Sequence, residues 1–212
     1  MTTGRIIISI GRECGSGGHE IGEKLARHYG IKFYDANLID ELVKGEGLDA
    51  DKLHSIEEKV TGNILPAHKG GFPQDKKVLM DKMSKSDRLY LMEKGLIEKM
   101  AKEESFVIVG RAANAILKDN EDTLRLYVYA REGFKIPRVK EYYHIKTDAD
   151  AKKEMLKIDK ARREYFNYYT GQTWGSSDVH DFMIDSSLFG IDQTVDIITK
   201  LADRKFAMQK VS

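Results

Sequence analysis

The stretch that decides the fold is residues 6–29, which read IIISIGRECGSGGHEIGEKLARHY. It starts with a nearly unbroken isoleucine run, which is typical of a parallel strand covered on both faces. Residues 11–19 are too rich in glycine for a strand or a helix, and Ile21, Leu25 and Tyr29 then recur at helical spacing. Strand, glycine loop and helix in this order surround a phosphate with backbone N–H groups and a positive helix end. The stretch therefore predicts a phosphate-binding loop.

The loop departs from the full phosphate-loop pattern G-x-x-x-x-G-K-[ST], in which the lysine binds phosphate and the hydroxyl binds magnesium. Gly18 stands where that lysine would be, and Glu20 stands where the Ser or Thr would be. A glycine-rich turn without a ligand is the alternative, and the loop taken alone leaves it open.

Composition limits the classes of function. The chain has 212 residues with 35 Lys+Arg against 34 Asp+Glu, a net charge of +1. This balance argues against a protein that binds nucleic acid or a membrane over its whole surface. The chain has no run of roughly 20 apolar residues and no signal pattern at its N-terminus, so we expect a cytoplasmic protein. Its one cysteine, Cys14, excludes an intrachain disulfide and is interpreted as a tolerated small residue rather than a reactive thiol.

Later strands bring polar residues to the same edge of the predicted sheet. Four further apolar segments predict strands at residues 31–35, 106–109, 124–130 and 182–185. Asp35 follows the second strand, where it could cap the next helix or contact a substrate. Arg111 follows the third strand, where its planar fork suits a phosphate, with a surface carboxylate as the alternative partner.

The segments between the strands are helical in pattern. Residues 46–102 read as charged helices around a glycine- and proline-rich loop at 61–74, and residues 148–169 read as a long charged helix. The aromatic residues beside the arginines of this helix, Tyr165, Phe166, Tyr168 and Tyr169, could stack on a nucleobase, although packing is their commoner use, and a loop around Trp174 follows. Residues 191–208 predict a closing amphipathic helix. Strands that alternate with helices predict an α/β fold with a parallel sheet wrapped on both faces.

Several motifs, taken together, resemble the bacterial cytidylate kinase-like family, which is related to the nucleoside monophosphate kinases. They are GRECGSGGHEIG, FYD, VIVGRAA, DKARREYFNYYTG and FMIDSS, and they span nearly the whole chain. The resemblance implies a P-loop kinase fold in one domain, with a five-stranded parallel sheet and helices on both faces. It implies a core at about 1–35, 92–131 and 179–212, a helical acceptor-binding insertion at about 36–91 and a helical lid at about 132–178.

The resemblance also implies roles for individual residues. ATP phosphates would be bound by Gly15, Ser16, Gly17, Gly18, His19 and Glu20. The acceptor would be bound by Asp35, Arg111 and Asp159. The transferring phosphate would be neutralised by Arg138, Arg162 and Arg163. The expected cofactor is Mg²⁺ carried with ATP, with no protein-built metal site, and the expected partners are ATP and a small phosphate acceptor, with neither nucleic acid nor membrane.

The departures from the family leave two functions open. Without the loop lysine, an active enzyme needs a substitute cation, for which Arg12 is preferred over His19 because arginine is always charged. Glu41 stands near the position where true cytidylate kinases carry an acceptor-binding arginine, which puts cytidine specificity in doubt. The first hypothesis is ATP-dependent phosphoryl transfer to a nucleoside monophosphate or a related small acceptor. The alternative is a catalytically impaired nucleotide-binding sensor or binding module.

Overall fold

The protein is built on a five-stranded sheet in which every strand is parallel to its neighbours. The structure, a computed structural model, describes residues 4–39 and 84–209. The strands are β1 (Ile7–Arg12), β2 (Lys32–Tyr34), β3 (Phe106–Val109), β4 (Thr123–Tyr129) and β5 (Phe182–Asp185). Their spatial order is β2-β3-β1-β4-β5. The prediction of a five-stranded parallel α/β sheet is confirmed.

Helices cover both faces of this sheet. They are α1 (Gly18–Tyr29), α2 (Lys85–Glu103), α3 (Ala113–Ile116), α4 (Glu132–Tyr143), α5 (Asp148–Thr170) and α6 (Ser186–Gln209). A short 3-10 helix spans Ser177–Val179, and residues 36–39 form a helical turn after β2. No helix in these two described ranges is long and apolar enough to cross a membrane.

The alternation of side chains along β1 separates two cores. Ile8 and Ile10 face α1 and α6, where Ile21 and Ile198 are fully buried. The other face carries Ile7, which packs with residues of α2 and α3 in a second cluster. Successive residues of a strand point to opposite faces, so a continuous apolar run is needed where both faces are covered.

Two element boundaries differ from the sequence prediction in ways that matter for the site. β1 continues to Arg12, because Gly11 and Arg12 extend the ladder with Tyr127 and Val128 of β4. Backbone pairing does not require an apolar side chain, so the strand continues two residues beyond Ile10, where the apolar pattern ends. Helix α6 begins at Ser186 rather than at residue 191, and Gly190 interrupts its helical geometry with φ 74°.

Part of the sequence prediction concerns residues outside the described ranges. The predicted loop at 61–74 lies there together with the charged helical residues predicted before it, as does most of the acceptor-binding insertion. Of the insertion, the structure describes the helical turn at 36–39 and the start of α2. Residues 132–178, predicted as a lid, contain α4, α5 and the 3-10 helix.

Candidate active site

Two glycines in the loop between β1 and α1 adopt left-handed backbone conformations. Gly15 and Gly17 have φ angles of 78° and 80°, in the left-handed region where a Cβ is disfavoured. Gly17 is the N-cap of α1, and a Cβ there would lie 2.2 Å from Cδ1 of Ile191. The N–H groups of Gly15 and Gly17 donate no hydrogen bond within the described residues. Free N–H groups beside a helix N-terminus are suited to bind a phosphate.

The loop is fastened to helices α4 and α5. The backbone N–H of Cys14 donates a buried 2.7 Å hydrogen bond to Oδ1 of Asp159. Glu13 forms a 2.7 Å ion pair with Lys135 of α4. Burial raises the pKa of Asp159, although the Cys14 N–H and the Arg162 charge oppose this shift. Asp159, predicted as an acceptor ligand, therefore lies against the glycine loop.

Cys14 is buried between the loop and these helices, in a cluster with Val139, Ala151 and Met155. Burial raises the pKa of its thiol, which disfavours the reactive thiolate. These observations argue against a reactive thiol, and they show that Cys14 packs in a buried cluster.

Arg138 of α4 reaches across the loop to the first turn of α1. Its guanidinium donates a 2.7 Å hydrogen bond to Glu20, and its Nε is buried without a partner among the described residues. Burial raises the pKa of Glu20, but hydrogen bonds and charge from Arg138 and Lys24 lower it more strongly. Glu20 thus forms ion pairs with both Arg138 and Lys24. No group of three or more His, Cys, Asp or Glu side chains able to hold a metal occurs in the described part of the chain.

Asp35 follows β2 and lies next to His19 of α1. Its Oδ1 accepts a 2.9 Å hydrogen bond from the N–H of Leu38, so it caps the helical turn that follows β2. Its Oδ2 is 3.3 Å from Nε2 of His19. Burial raises the pKa of Asp35, but the Leu38 N–H and His19 together bring it below its usual value. The capping interpretation is confirmed, and neither Asp35 nor His19 lines the cavity described next.

A cavity of about 290 Å³ opens beside the loop, at the carboxyl ends of β1 and β3. Three guanidinium groups line it, from Arg12, Arg111 and Arg162. Aromatic side chains line it as well, among them Tyr165 and Trp174. The cavity therefore joins a cationic surface to an aromatic one, and its volume suits one small ligand.

Arg12 ends β1, and its side chain runs toward the end of β3. A Cβ on Gly18 would lie 2.6 Å from Cβ of Arg12, and a Cβ on Gly110 would lie 2.3 Å from its Nη1. Glycine at both positions lets the arginine pass between the loop and the cavity. Burial and the charge of Arg162 lower the pKa of Arg12 to about 9 against the opposing charges of Asp159 and Asp35, so it stays protonated at neutral pH. Its guanidinium has no hydrogen bond or ion pair in the described ranges.

Arg111 is held by a buried carboxylate from α2. Its Nε is 3.3 Å from Oε1 of Glu93, which is fully buried, and the hydroxyl of Tyr165 donates a 2.7 Å hydrogen bond to Oε2 of Glu93. Arg111 itself has a φ of 51°, an unusual conformation for a residue with a side chain. The carboxylate that pairs with Arg111 is therefore buried, whereas the alternative considered from the sequence was a surface carboxylate. Such a pair fixes the orientation of the guanidinium toward the cavity.

The two lid arginines of the predicted motif point to different places. Arg162 is 3.3 Å from Asp159 and 3.5 Å from the backbone oxygen of Arg12, at the cavity wall. Arg163 is exposed, and its guanidinium lies 5.4 Å from the ring centre of Trp174. The structure therefore brings Arg12, Arg111 and Arg162 together and leaves Arg163 outside.

Sequence reasoning missed three residues of this site: Glu93, Asn114 and His180. Asn114 comes three residues after Arg111, just beyond the third strand. That position at the sheet edge could have marked it as a candidate site residue. His180 precedes β5, and a residue before a parallel strand is expected at the opposite edge of the sheet. The first residue of β5, Phe182, pairs with Leu126 in the middle of β4, so β5 starts closer to the carboxyl edge of the sheet than β4 does. His180 therefore lies among the residues that line the cavity.

Comparison with known proteins agrees with this architecture. The sequence model of the cytidylate kinase-like family matches residues 7–188. This chain belongs to the cytidylate kinase-like family. A search of the curated proteins gave no match.

Solved structures show the same fold. An uncharacterised protein from Eubacterium ventriosum is 31% identical, with a TM-score of 0.71 over 94% of this chain and 99% of that one. Shikimate kinase from Bacteroides thetaiotaomicron is 11% identical, with a TM-score of 0.51 over 93% of this chain and 98% of that one. At that identity the second match concerns the fold alone. The family and the P-loop kinase fold together support a kinase that uses a nucleotide in phosphoryl transfer.

Proposed function

We propose that this protein transfers the γ-phosphate of ATP to a small phosphate-bearing acceptor, with a nucleoside monophosphate such as CMP as the first candidate. The observation that carries the proposal is the cluster of Arg12, Arg111 and Arg162 around one cavity beside the glycine loop. Phosphoryl transfer needs positioning and charge neutralisation more than a covalent catalyst. Three converging guanidinium groups supply both for an anionic acceptor.

The donor would bind at the glycine loop. The free N–H groups of Gly15 and Gly17 and the start of α1 would bind the terminal phosphates, with Arg138 above them. Mg²⁺ would arrive on the triphosphate, because this ion is usually held by substrate phosphates and water with few protein ligands. Arg12 would take the place of the missing lysine, since its side chain runs from the loop to the cavity.

The catalytically impaired binding module remains the second candidate. The observation in its favour is that Gly18 occupies the lysine position and lies against Arg12, which leaves no lysine in the loop. Removing one preorganised donor to the transition state typically costs about 10² to 10³ in rate. A binding module would hold ATP and CMP without transferring phosphate between them.

A transfer assay with γ-labelled ATP, magnesium and a panel of nucleosides, monophosphates and small hydroxy acids tests the proposal. Arg12→Ala and Arg111→Ala should each lower transfer at least about 10²-fold. Arg27→Ala, on the exposed last turn of α1, is the matched control and should retain full activity. Binding of ATP without transfer to any acceptor would contradict the kinase and favour the binding module.

A further inference from the structure

The buried carboxylate behind Arg111 contacts a different side chain with each of its two oxygens. Oε1 of Glu93 is 3.3 Å from Nε of Arg111, and Oε2 accepts a 2.7 Å hydrogen bond from the hydroxyl of Tyr165. Glu93 is fully buried, where a charge is costly unless it is paired and hydrogen-bonded. A carboxylate held at one oxygen can still turn about its last side-chain bond, whereas a contact at each oxygen opposes that rotation. The hydroxyl of Tyr165 therefore helps to fix the carboxylate that faces Arg111.

Tyr165 contacts the other member of this ion pair as well. Cζ of Arg111 lies 5.9 Å from the centre of the Tyr165 ring, within the range of a cation–π interaction. Burial and the charge of Glu93 raise the pKa of the Tyr165 phenol, so the hydroxyl keeps its proton and remains a donor. One tyrosine thus binds the carboxylate with its hydroxyl and lies beside the guanidinium with its ring.

The three residues come from three separate elements of the fold. Glu93 belongs to α2, Arg111 follows β3, and Tyr165 belongs to α5. Arg162 precedes Tyr165 by about one turn of α5 and lines the same cavity as Arg111. The orientation of Arg111 relative to Arg162 therefore depends on how α5 contacts α2.

A second tyrosine of α5 contacts α2 without reaching this carboxylate. The hydroxyl of Tyr169 donates a 3.2 Å hydrogen bond to Asp87, and its ring stacks on Tyr90 with centroids 4.2 Å apart. Both tyrosines join α5 to α2, but of the two it is Tyr165 that hydrogen-bonds Glu93. This difference separates a role in orienting Arg111 from a role in joining the two helices.

We propose that Tyr165 is a positioning residue: its hydroxyl orients Glu93, and Glu93 in turn orients the guanidinium of Arg111 toward the phosphate group of the acceptor. This inference rests on the proposed function, in which Arg111 binds an anionic acceptor. A guanidinium whose planar fork is already aligned loses less rotamer freedom when it binds a phosphate. Without the hydroxyl, Arg111 keeps its charge but loses part of this alignment.

The Nε–H signal of Arg111 in nitrogen-15 NMR spectra reports this alignment without any ligand, and Arg111→Lys identifies the signal. Nε of Arg111 is buried next to Glu93, so its hydrogen should exchange slowly with water. Tyr165→Phe keeps the ring but removes the hydroxyl, and it should speed up this exchange about 10-fold or more. Tyr169→Phe, which removes the other hydroxyl between α5 and α2, is the matched control and should leave the exchange unchanged.

The affinities for the two substrates provide a second readout. Trp174 is the only tryptophan of the chain and lines the cavity, so its fluorescence reports CMP binding, while calorimetry reports ATP binding. Tyr165→Phe should weaken CMP binding about 10-fold and change ATP affinity less than about twofold, since ATP would bind at the glycine loop. Glu93→Gln should weaken CMP binding too, and Tyr165→Phe added to it should have little further effect, because the two residues act in series.

A structural role would give a different result. Exchange of the Arg111 Nε–H that is unchanged in Tyr165→Phe, or that rises equally in Tyr169→Phe, would overturn the inference. Additive effects of Tyr165→Phe and Glu93→Gln on CMP binding would overturn it as well, because the two residues would then act independently.

The transfer assay separates this inference from the proposed function. Transfer to CMP, with exchange and affinity unchanged in Tyr165→Phe, would retain the kinase and reject the role of Tyr165. Faster exchange in Tyr165→Phe but not in Tyr169→Phe, in a protein that transfers phosphate to no acceptor, would retain the orienting role of Tyr165 and reject the kinase.

Discussion

Asp159 accepts a 2.7 Å hydrogen bond from the backbone N–H of Cys14, and this buried contact joins helix α5 to the glycine loop across 145 positions of sequence. Arg162, one turn further along α5, is 3.3 Å from the same carboxylate. The conformation of the loop and the position of a cavity arginine are therefore coupled through one side chain. The proposed donor and acceptor sites meet at this contact.

Replacement of Asp159 by alanine should destabilise the protein by about 1–3 kcal/mol, because the Cys14 N–H is left buried and unpaired. Chemical denaturation monitored by circular dichroism measures the change. Glu164→Ala on the same helix is the control, since its contact with Lys160 is exposed on both sides and should contribute little. Equal stabilities for the two variants would argue against the role given to Asp159.

Replacement of Gly17 by alanine should cost more stability than replacement of Gly30. Both glycines have positive φ, which disfavours alanine by about 1–2 kcal/mol. A Cβ at Gly17 would also overlap Ile191 of α6, whereas a Cβ at Gly30 meets nothing within 4 Å. Thermal denaturation of the two variants compares the costs. If Gly30→Ala were as damaging as Gly17→Ala, the packing of the loop against α6 would be wrong.

Arg12→Gln should change stability and activity in opposite directions. Burial is the largest influence that disfavours the charge of the Arg12 guanidinium, and the attraction of Asp159 and Asp35 opposes the repulsion of Arg162 and Arg111. Removal of this charge therefore relieves mainly a desolvation cost. We expect a gain of about 0.5–2 kcal/mol in unfolding free energy together with loss of phosphoryl transfer. Arg163→Gln, whose guanidinium lies over Trp174 outside the cavity, should give no such gain. A loss of stability in Arg12→Gln would contradict the idea that the buried charge of Arg12 destabilises the folded protein.

The sequence predicted the sheet because each buried strand has its own apolar run. β3 and β5 begin and end as predicted, and the phosphate loop follows from the glycines between the first strand and α1. The cavity was harder to predict, because it depends on where side chains meet. Arg12 was assigned to a loop but ends a strand, and that strand position directs it between Gly18 and Gly110.

Glu93 and Arg163 show the limit of sequence reasoning on helices. Glu93 lies in a charged helix whose pattern gives no sign that one carboxylate is fully buried against Arg111. Arg162 and Arg163 are adjacent in the motif, yet a helix rotates successive residues by about 100°. Only one of the pair can face the cavity, and the structure assigns that place to Arg162.

The pair Arg125–Asp181 should make the protein sensitive to acid. Asp181 accepts hydrogen bonds from the side chain and the backbone N–H of Arg125, which join β4 to the start of β5. Burial raises the pKa of Asp181, but these hydrogen bonds and the charge of Arg125 lower it more. A folded-state pKa below the unfolded value stabilises the protein above about pH 4, and this contribution is lost as the pH falls through the folded-state pKa.

Urea denaturation of the wild type and of Asp181→Asn between pH 2 and pH 7 tests this linkage. The difference in unfolding free energy between the two proteins should be largest at neutral pH and should shrink below about pH 4. A difference that is independent of pH would mean that the charge of Asp181 does not contribute.

Single-turnover transfer tests the central claim most directly. Excess protein is mixed with γ-labelled ATP, magnesium and CMP, and the nucleotides are separated after a time course while Trp174 fluorescence reports whether CMP is bound. The account predicts that label moves from ATP to CDP in the wild type and not in Arg111→Ala. Label that stays in ATP while CMP is bound to the wild-type protein would contradict it.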